Sequence, residues 1–218
     1  MRTVLLATGN PAKQAKLRWL LDGLAVLLVT PDEIGLDFDA PETAGTHRAV
    51  AAEKAVAWSE RAPHAVIASD GGAHVPALGD AWTSVRTRRA AGAGATDADR
   101  ADHLLGLMRG RAGADRDVVW REAVAVAEGG RLLGCWEAEG RLGRLVEAYD
   151  PAEIAGGFWM AGLLTVPRFD KLYRDLTDEE LAQVDDAWNT LRAHVRAWFA
   201  AHPTGADGEP GCESPGTG

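Results

Sequence analysis

Two acids and two lysines stand out as groups that could act on a phosphorylated substrate. Glu42 lies in Pro41-Glu42-Thr43, and Asp70 lies in Ser69-Asp70-Gly71-Gly72. Carboxylates at loop edges and strand ends can meet in a cleft and hold a hard cation through oxygen ligands. Magnesium is the usual ion where phosphates are also present. Lys13 follows the polar turn Thr8-Gly9-Asn10, and Lys54 lies in Glu53-Lys54-Ala55. Taken singly, each has a plainer reading. Glu42 reads as a solvated loop charge, Asp70 as a turn residue bonded to its own backbone, and Lys13 and Lys54 as exposed helix lysines.

The elements around them give the set more meaning. Leu5 to Ala7 is a short apolar run bounded by Gly9 and reads as a buried strand. Asn10 suits a helix N-cap and Pro11 the first helical position. The helix predicted from Pro11 to about Asp22 aims unpaired N–H groups and a positive dipole end at the turn. Thr8 and Asn10 add side-chain hydrogen bonds there, and Lys13 adds a point charge. Leu24 to Val29 and Ala65 to Ser69 read as further strands, and Thr46 caps a helix reaching about Arg61. Asp70-Gly71-Gly72 reads as a turn, with Ala73 to Leu78 as an extended arm. Thr96 starts a third helix.

Beyond it the pattern turns to strands at Val118 to Ala127, Arg131 to Ala138, Arg141 to Glu147 and Gly157 to Val166. Gly129-Gly130 makes the first hairpin. Thr177 and Glu180 form a capping box for one long helix whose apolar stripe runs from Leu181 to Trp198. The mixture of parallel-type units and hairpins predicts an α/β protein with a mixed sheet. The expected organisation is one domain over residues 1–200, with a disordered tail at 201–218 that is rich in Gly and Pro.

The bulk composition narrows the classes. The chain has 218 residues, a net charge of -9 and 46% hydrophobic residues. A nucleic-acid polymer calls for a basic face, which the sequence lacks. No apolar stretch is long enough for a bilayer, and no signal-peptide pattern opens the chain. Cys135 and Cys212 are the only cysteines. They predict neither a disulfide framework nor a zinc cluster, and suit a reducing cytoplasm.

In order and spacing the motifs resemble the inosine triphosphate pyrophosphatase family. They are Ala7-Thr8-Gly9-Asn10-Pro11-Ala12-Lys13, Pro41-Glu42-Thr43 with Thr46 and Lys54-Ala55, Ile67-Ala68-Ser69-Asp70-Gly71-Gly72, and Ala77-Leu78-Gly79. Gly156-Gly157-Phe158, Val166-Pro167, Lys171 and Leu176-Thr177 extend the likeness. The resemblance implies an elongated mixed sheet with flanking helices, two lobes around a nucleotide cleft, and a homodimer. It further implies a magnesium-dependent cut between the α and β phosphates of a nucleoside triphosphate, releasing the monophosphate and pyrophosphate. By it, Thr8, Asn10, Lys13 and Lys54 hold phosphates, Glu42 and Asp70 hold Mg2+, and Asp70 also activates water.

Departures from the family pattern cluster. The first of its paired acids is Ser69 here, its serine is Gly71, and the asparagine of its second helix is Val50. Trp82-Thr83 replaces its Pro-Gly, although Arg88 remains. At the base pocket Phe158 is kept for stacking. The aromatic-Asp-Pro becomes Met160-Ala161-Gly162, a lysine becomes Leu181, and a Ser-His-Arg triplet falls on Asp185-Asp186-Ala187. Loss of donors to a purine oxo group predicts poor activity on inosine and xanthosine triphosphates. Asp185 or Asp186 would accept from an amino group on another base, including a modified nucleoside. Two other readings are a nucleotide-binding relative without catalysis and a hydrolase of another phosphate ester.

Overall fold

The computed structural model describes residues 1–87, 90–92, 94–154 and 158–202. Arg88, Gly156 and Gly157 lie outside the described residues, as does the predicted tail from residue 203 onward. Seven strands form one mixed sheet in the order β2-β1-β3-β4-β5-β6-β7. They are β1 (Arg2–Leu6), β2 (Val26–Val29), β3 (Ala65–His74), β4 (Asp117–Glu128), β5 (Arg131–Leu145), β6 (Leu164–Val166) and β7 (Lys171–Leu172). The helices are α1 (Pro11–Leu21), α2 (His47–Ser59), α3 (Asp97–Leu107), α4 (Asp178–Leu181) and α5 (Ala187–Ala201). The predicted α/β class with a mixed sheet is the one observed. Parallel pairing at β1 with β2 and β3 gives way to antiparallel pairing of β5 with β6 and of β6 with β7.

The chain divides into two compact units. The first comprises residues 1–71, 122–138 and 187–218. In it Val4, Leu5 and Leu6 of β1 are fully buried, as a central parallel strand requires. Leu5, Val66, Ala68, Ala123 and Ala125 pack with Ala51, Ala55 and Trp58 of α2. The second unit comprises residues 72–121 and 139–186. Its core gathers Leu104 and Met108 near α3 with Leu142, Leu145, Met160, Leu163 and Leu164.

Several expectations are corrected. The turn at Asp70-Gly71-Gly72 is absent, and β3 continues through these residues to His74. A Cβ at Gly72 would stand 2.2 Å from the Ser84 carbonyl oxygen and 2.8 Å from Thr87 Oγ1. The glycine there serves close backbone approach, not chain reversal. The strands expected at Arg131 to Ala138 and Arg141 to Glu147 are one strand, β5. In place of a strand from Gly157 to Val166 there is a 3-10 turn at Trp159–Gly162 and then the short β6. The extended arm after Ala73 ends at His74 and becomes a 3-10 segment at Pro76–Ala81.

The long helix from Thr177 is two helices. α4 keeps its capping box, but residues 182–186 leave the helical path before α5 begins. Asp185 accepts from the Arg141 backbone N–H at 3.4 Å, and Asp186 from the Tyr173 hydroxyl at 3.4 Å. Short acidic side chains with such partners compete with helix continuation.

Candidate active site

The first turn forms as its residues dictate. Asn10 Oδ1 accepts from the backbone N–H groups of Ala12 at 2.9 Å and Lys13 at 3.4 Å, and Pro11 occupies the first helical position. Thr8 Oγ1 accepts from the Asn10 N–H at 3.1 Å, and Gln14 Nε2 donates to the Thr8 carbonyl at 2.9 Å. The turn is therefore tied from both ends. One helical step on, Lys13 Nζ donates to the Ser69 carbonyl at 3.4 Å. That contact sets the first turn beside the residue preceding Asp70.

Asp70 is the hub of the cluster. Lys54 of α2 places its ammonium 3.3 Å from Asp70 Oδ1 and 2.5 Å from Glu42 Oε1. The two acids singled out from sequence thus face one point from separate parts of the chain, with a cation between them. Thr46 positions α2 by accepting from the Ala49 N–H. The loop carrying Glu42 is tied to the same helix, since Glu53 accepts from the Thr43 N–H at 2.9 Å and from the Thr43 hydroxyl at 2.5 Å.

Sequence reading missed two groups here. His47 is 2% exposed, and its Nδ1 lies 2.6 Å from Asp70 Oδ2. Its one sequence signal is its place directly after the Thr46 cap. Glu122 of β4 is 1% exposed and lies 3.7 Å from Lys13 Nζ. Its signal is an acid placed directly before the apolar run from Ala123 to Ala127.

The charges tune one another. Burial raises the Asp70 carboxyl, but the His47 hydrogen bond and the charges of Lys13 and Lys54 outweigh it and hold it below the ordinary aspartate value. Asp70 therefore stands ionised, so His47 Nδ1 carries the shared proton and donates. Burial lowers the Lys54 ammonium, yet Asp70 and Glu42 reverse this and hold it above the ordinary lysine value.

The residues expected at a base pocket lie in the second unit. Phe158 packs edge-to-face on Trp120 at 5.1 Å and on Tyr173 at 5.9 Å between ring centroids. Asp186 is buried against the Tyr173 hydroxyl. Burial, then the Asp186 charge, push that hydroxyl well above the ordinary tyrosine range. Asp185 is exposed and lines a groove of about 500 Å³ with Arg141, Arg168 and Phe169. Asp185 and Asp186 therefore differ in exposure: Asp185 is bonded to the Arg141 N–H but open to solvent, and Asp186 is buried. Among the departures, Val50 is buried on α2 and Trp82 is buried with its indole N–H on the Ala73 carbonyl.

No three His, Cys, Asp or Glu side chains among the described residues gather closely enough to hold a metal by themselves. No helix among them is long and apolar enough to cross a membrane.

Comparison with known proteins agrees with this architecture. The family model of the Ham1 family matches residues 4–185. The dITP/XTP pyrophosphatase of Gloeobacter violaceus is 36% identical over 177 residues, covering 81% of this chain and 84% of that protein. The dITP/XTP pyrophosphatase of Halorhodospira halophila is 29% identical over 199 residues, covering 88% of this chain and 90% of that protein. Among solved structures, a HAM1 protein from Coxiella burnetii superposes with a TM-score of 0.73 at 23% identity, covering 90% of this chain and all of that one. The Staphylococcus aureus Ham1 protein gives a TM-score of 0.70 at 22% identity, over 90% of this chain and 99% of that one. These structures share the fold, and the sequence relatives carry the kinship, in agreement with the resemblance read from the motifs: the chain belongs to the Ham1 family.

Proposed function

We propose that this chain is a magnesium-dependent pyrophosphatase that cuts a nucleoside triphosphate to the monophosphate and pyrophosphate. The observation that carries this reading is the meeting of Glu42, Asp70 and Lys54 at one point, with Lys13 electrostatically coupled to the same carboxylate. The names of the Gloeobacter and Halorhodospira relatives support the reaction class.

The donor set fits Mg2+. Two carboxylate oxygens already converge on a cation, the Lys54 ammonium. Magnesium commonly takes one or two carboxylates and completes its shell with phosphate oxygens and water. Glu42 and Asp70 would hold it, and bound there it would offset charge on the transferring phosphoryl group. The remaining work falls to the chain. Thr8, Asn10 and the N-terminus of α1 receive phosphate oxygens, while Lys13 and Lys54 supply positive charge. Asp70, ionised and oriented by His47, accepts a proton from the attacking water. The water oxygen bonds to the α-phosphorus, the bond to the bridging oxygen breaks, and the electron pair leaves with pyrophosphate.

The base preference of this enzyme differs from that for inosine and xanthosine. Leu181, Asp185 and Asp186 stand where the family pattern has donors, and exposed Asp185 suits a base carrying an amino group. The working form is a homodimer, as the family resemblance implies.

The test offers purified protein with Mg2+ a panel of nucleoside mono-, di- and triphosphates, and measures phosphate and pyrophosphate separately. Pyrophosphate from a triphosphate other than inosine or xanthosine triphosphate, abolished in Asp70→Asn, is the expected result. Binding without turnover would favour a non-catalytic nucleotide binder. Phosphate alone would favour a different ester.

A further inference from the structure

Glu53 has no part in the reaction as set out above, yet its carboxylate is committed to the loop that carries Glu42. Its Oε2 accepts from the backbone N–H groups of Thr43 at 2.9 Å and Ala44 at 3.3 Å, and its Oε1 accepts from the Thr43 hydroxyl at 2.5 Å. Three donors from the two residues that follow Glu42 thus converge on one carboxylate. Hydrogen bonds to an ionised acceptor are shorter and stronger than neutral ones. The next residue of α2, Lys54, reaches Glu42 itself at 2.5 Å. Two neighbouring side chains of one helix therefore hold three successive loop residues.

The path of the chain explains why Glu53 reaches this loop. The loop leads into α2 through the Thr46 cap. Three residues separate Thr43 from Thr46 and span at most about 10 Å, close to the rise of the helix from Thr46 to Glu53. The loop runs back along the helix that it starts, so a side chain about two turns in stands level with Thr43. Farther upstream, the Phe38 ring packs edge-to-face on Trp58 of α2 at 5.1 Å between centroids, and the Arg61 guanidinium lies 3.9 Å over it. The loop is thus pinned on both sides of Glu42. The two grips from α2 differ in kind. A lysine that turns to phosphate gives up its hold on Glu42, whereas the Glu53 bonds involve neither phosphate nor ion.

We propose that Glu53 is a positioning residue for the cation site: by fixing Thr43 and Ala44 it keeps the Glu42 carboxylate turned toward Asp70 and so sets the affinity for a divalent ion. The inference rests on Glu42 and Asp70 holding that ion as set out above. Loss of a group that orients a metal ligand costs about 10- to 100-fold in metal affinity. Glu53 acts on the backbone beside the ligand and not on the ligand's own oxygens, which puts the expected effect near the lower figure.

Mn2+ titration of the full chain, followed by electron paramagnetic resonance, tests this. Glu53→Ala puts the best helix former on α2, so the helix should persist. The variant is expected to raise the Mn2+ Kd about 10-fold, at the low end of the range for orienting groups. Thr43→Val, which removes the hydroxyl and keeps the N–H, should raise it less. In a Glu42→Gln background Glu53→Ala should have no further effect, because its influence passes through Glu42. An unchanged Kd in Glu53→Ala overturns the positioning role. A loss of the same size with and without Glu42 overturns it too, since Glu53 would then act by another route. Glu42→Gln separates the two readings. If it weakens Mn2+ binding while Glu53→Ala does not, the positioning role alone fails. If Glu42→Gln leaves binding unchanged, the Glu42–Asp70 cation site fails and the positioning role with it.

Discussion

His47 Nδ1 and Asp70 Oδ2 lie 2.6 Å apart, joining the first residue of α2 to the middle of β3. The imidazole is buried and faces an ionised carboxylate, so it fixes which Asp70 oxygen stays available on the Lys54 side. His47→Phe removes that restraint. We expect kcat to fall about 10- to 100-fold, the range found when partners that orient a ligand are lost. Because the hydrogen bond lowers the Asp70 carboxyl, its loss raises it, and the acid limb of the pH–rate profile should move to higher pH. Steady-state kinetics across pH would check both effects.

Asp70→Asn keeps the shape and removes the charge. The reaction should slow by about 10²- to 10⁴-fold, the range for a lost general base. Circular dichroism should remain that of the wild type, and pyrophosphate release is the readout.

Asp70 also links stability to pH. Its carboxyl is held below the ordinary value in the folded chain. Its contribution is therefore complete above the ordinary aspartate value and is lost as pH falls through the lowered one. Lys54 has the opposite sign. Its ammonium is held above the ordinary lysine value, so its contribution is complete below that value and lost as pH rises through the raised one. Thermal midpoints measured against pH should fall at both ends, and Asp70→Asn should flatten the acid side.

Gly72→Ala tests the corrected path of β3. The added carbon would meet the Ser84 carbonyl oxygen at 2.2 Å, a backbone atom that a rotamer change cannot move. Overpacking of this kind costs about 1–3 kcal/mol. For a chain of this size that lowers the thermal midpoint by about 2–4 °C per kcal/mol, measurable by calorimetry.

Glu42→Gln should weaken Mg2+ activation while leaving the fold unchanged. The expected change is about 10- to 100-fold in the Mg2+ concentration giving half-maximal rate, taking a cation ligand to matter at least as much as the groups that orient one. A titration of rate against Mg2+ would show it.

What could be read from the sequence was mostly local. The Asn10 cap, the Thr46 cap and the Thr177–Glu180 box each need only a few neighbouring residues, and each is present. The proximity of Lys13 to Asp70 and of Lys54 to Glu42 followed from likeness to a family, because no spacing along the chain encodes it. Gly71-Gly72 was misread as a turn because a glycine needed for close approach looks the same in sequence as one needed for reversal. The break between α4 and α5 depends on Arg141 and Tyr173, which are remote in sequence from Asp185 and Asp186. Glu122 and His47 were missed for a related reason. Their importance lies in burial beside a charge, and burial of a single polar residue is a property of the packed sheet.

The first turn has a kinetic implication. Thr8, Asn10 and Gln14 already hold one another through hydrogen bonds, so a nucleotide reaching this loop need not order it. Association there should be governed by diffusion and by the field of Lys13 and Lys54 against a net negative chain. The on-rate should consequently depend both on ionic strength and on solvent viscosity, as an encounter-limited step does.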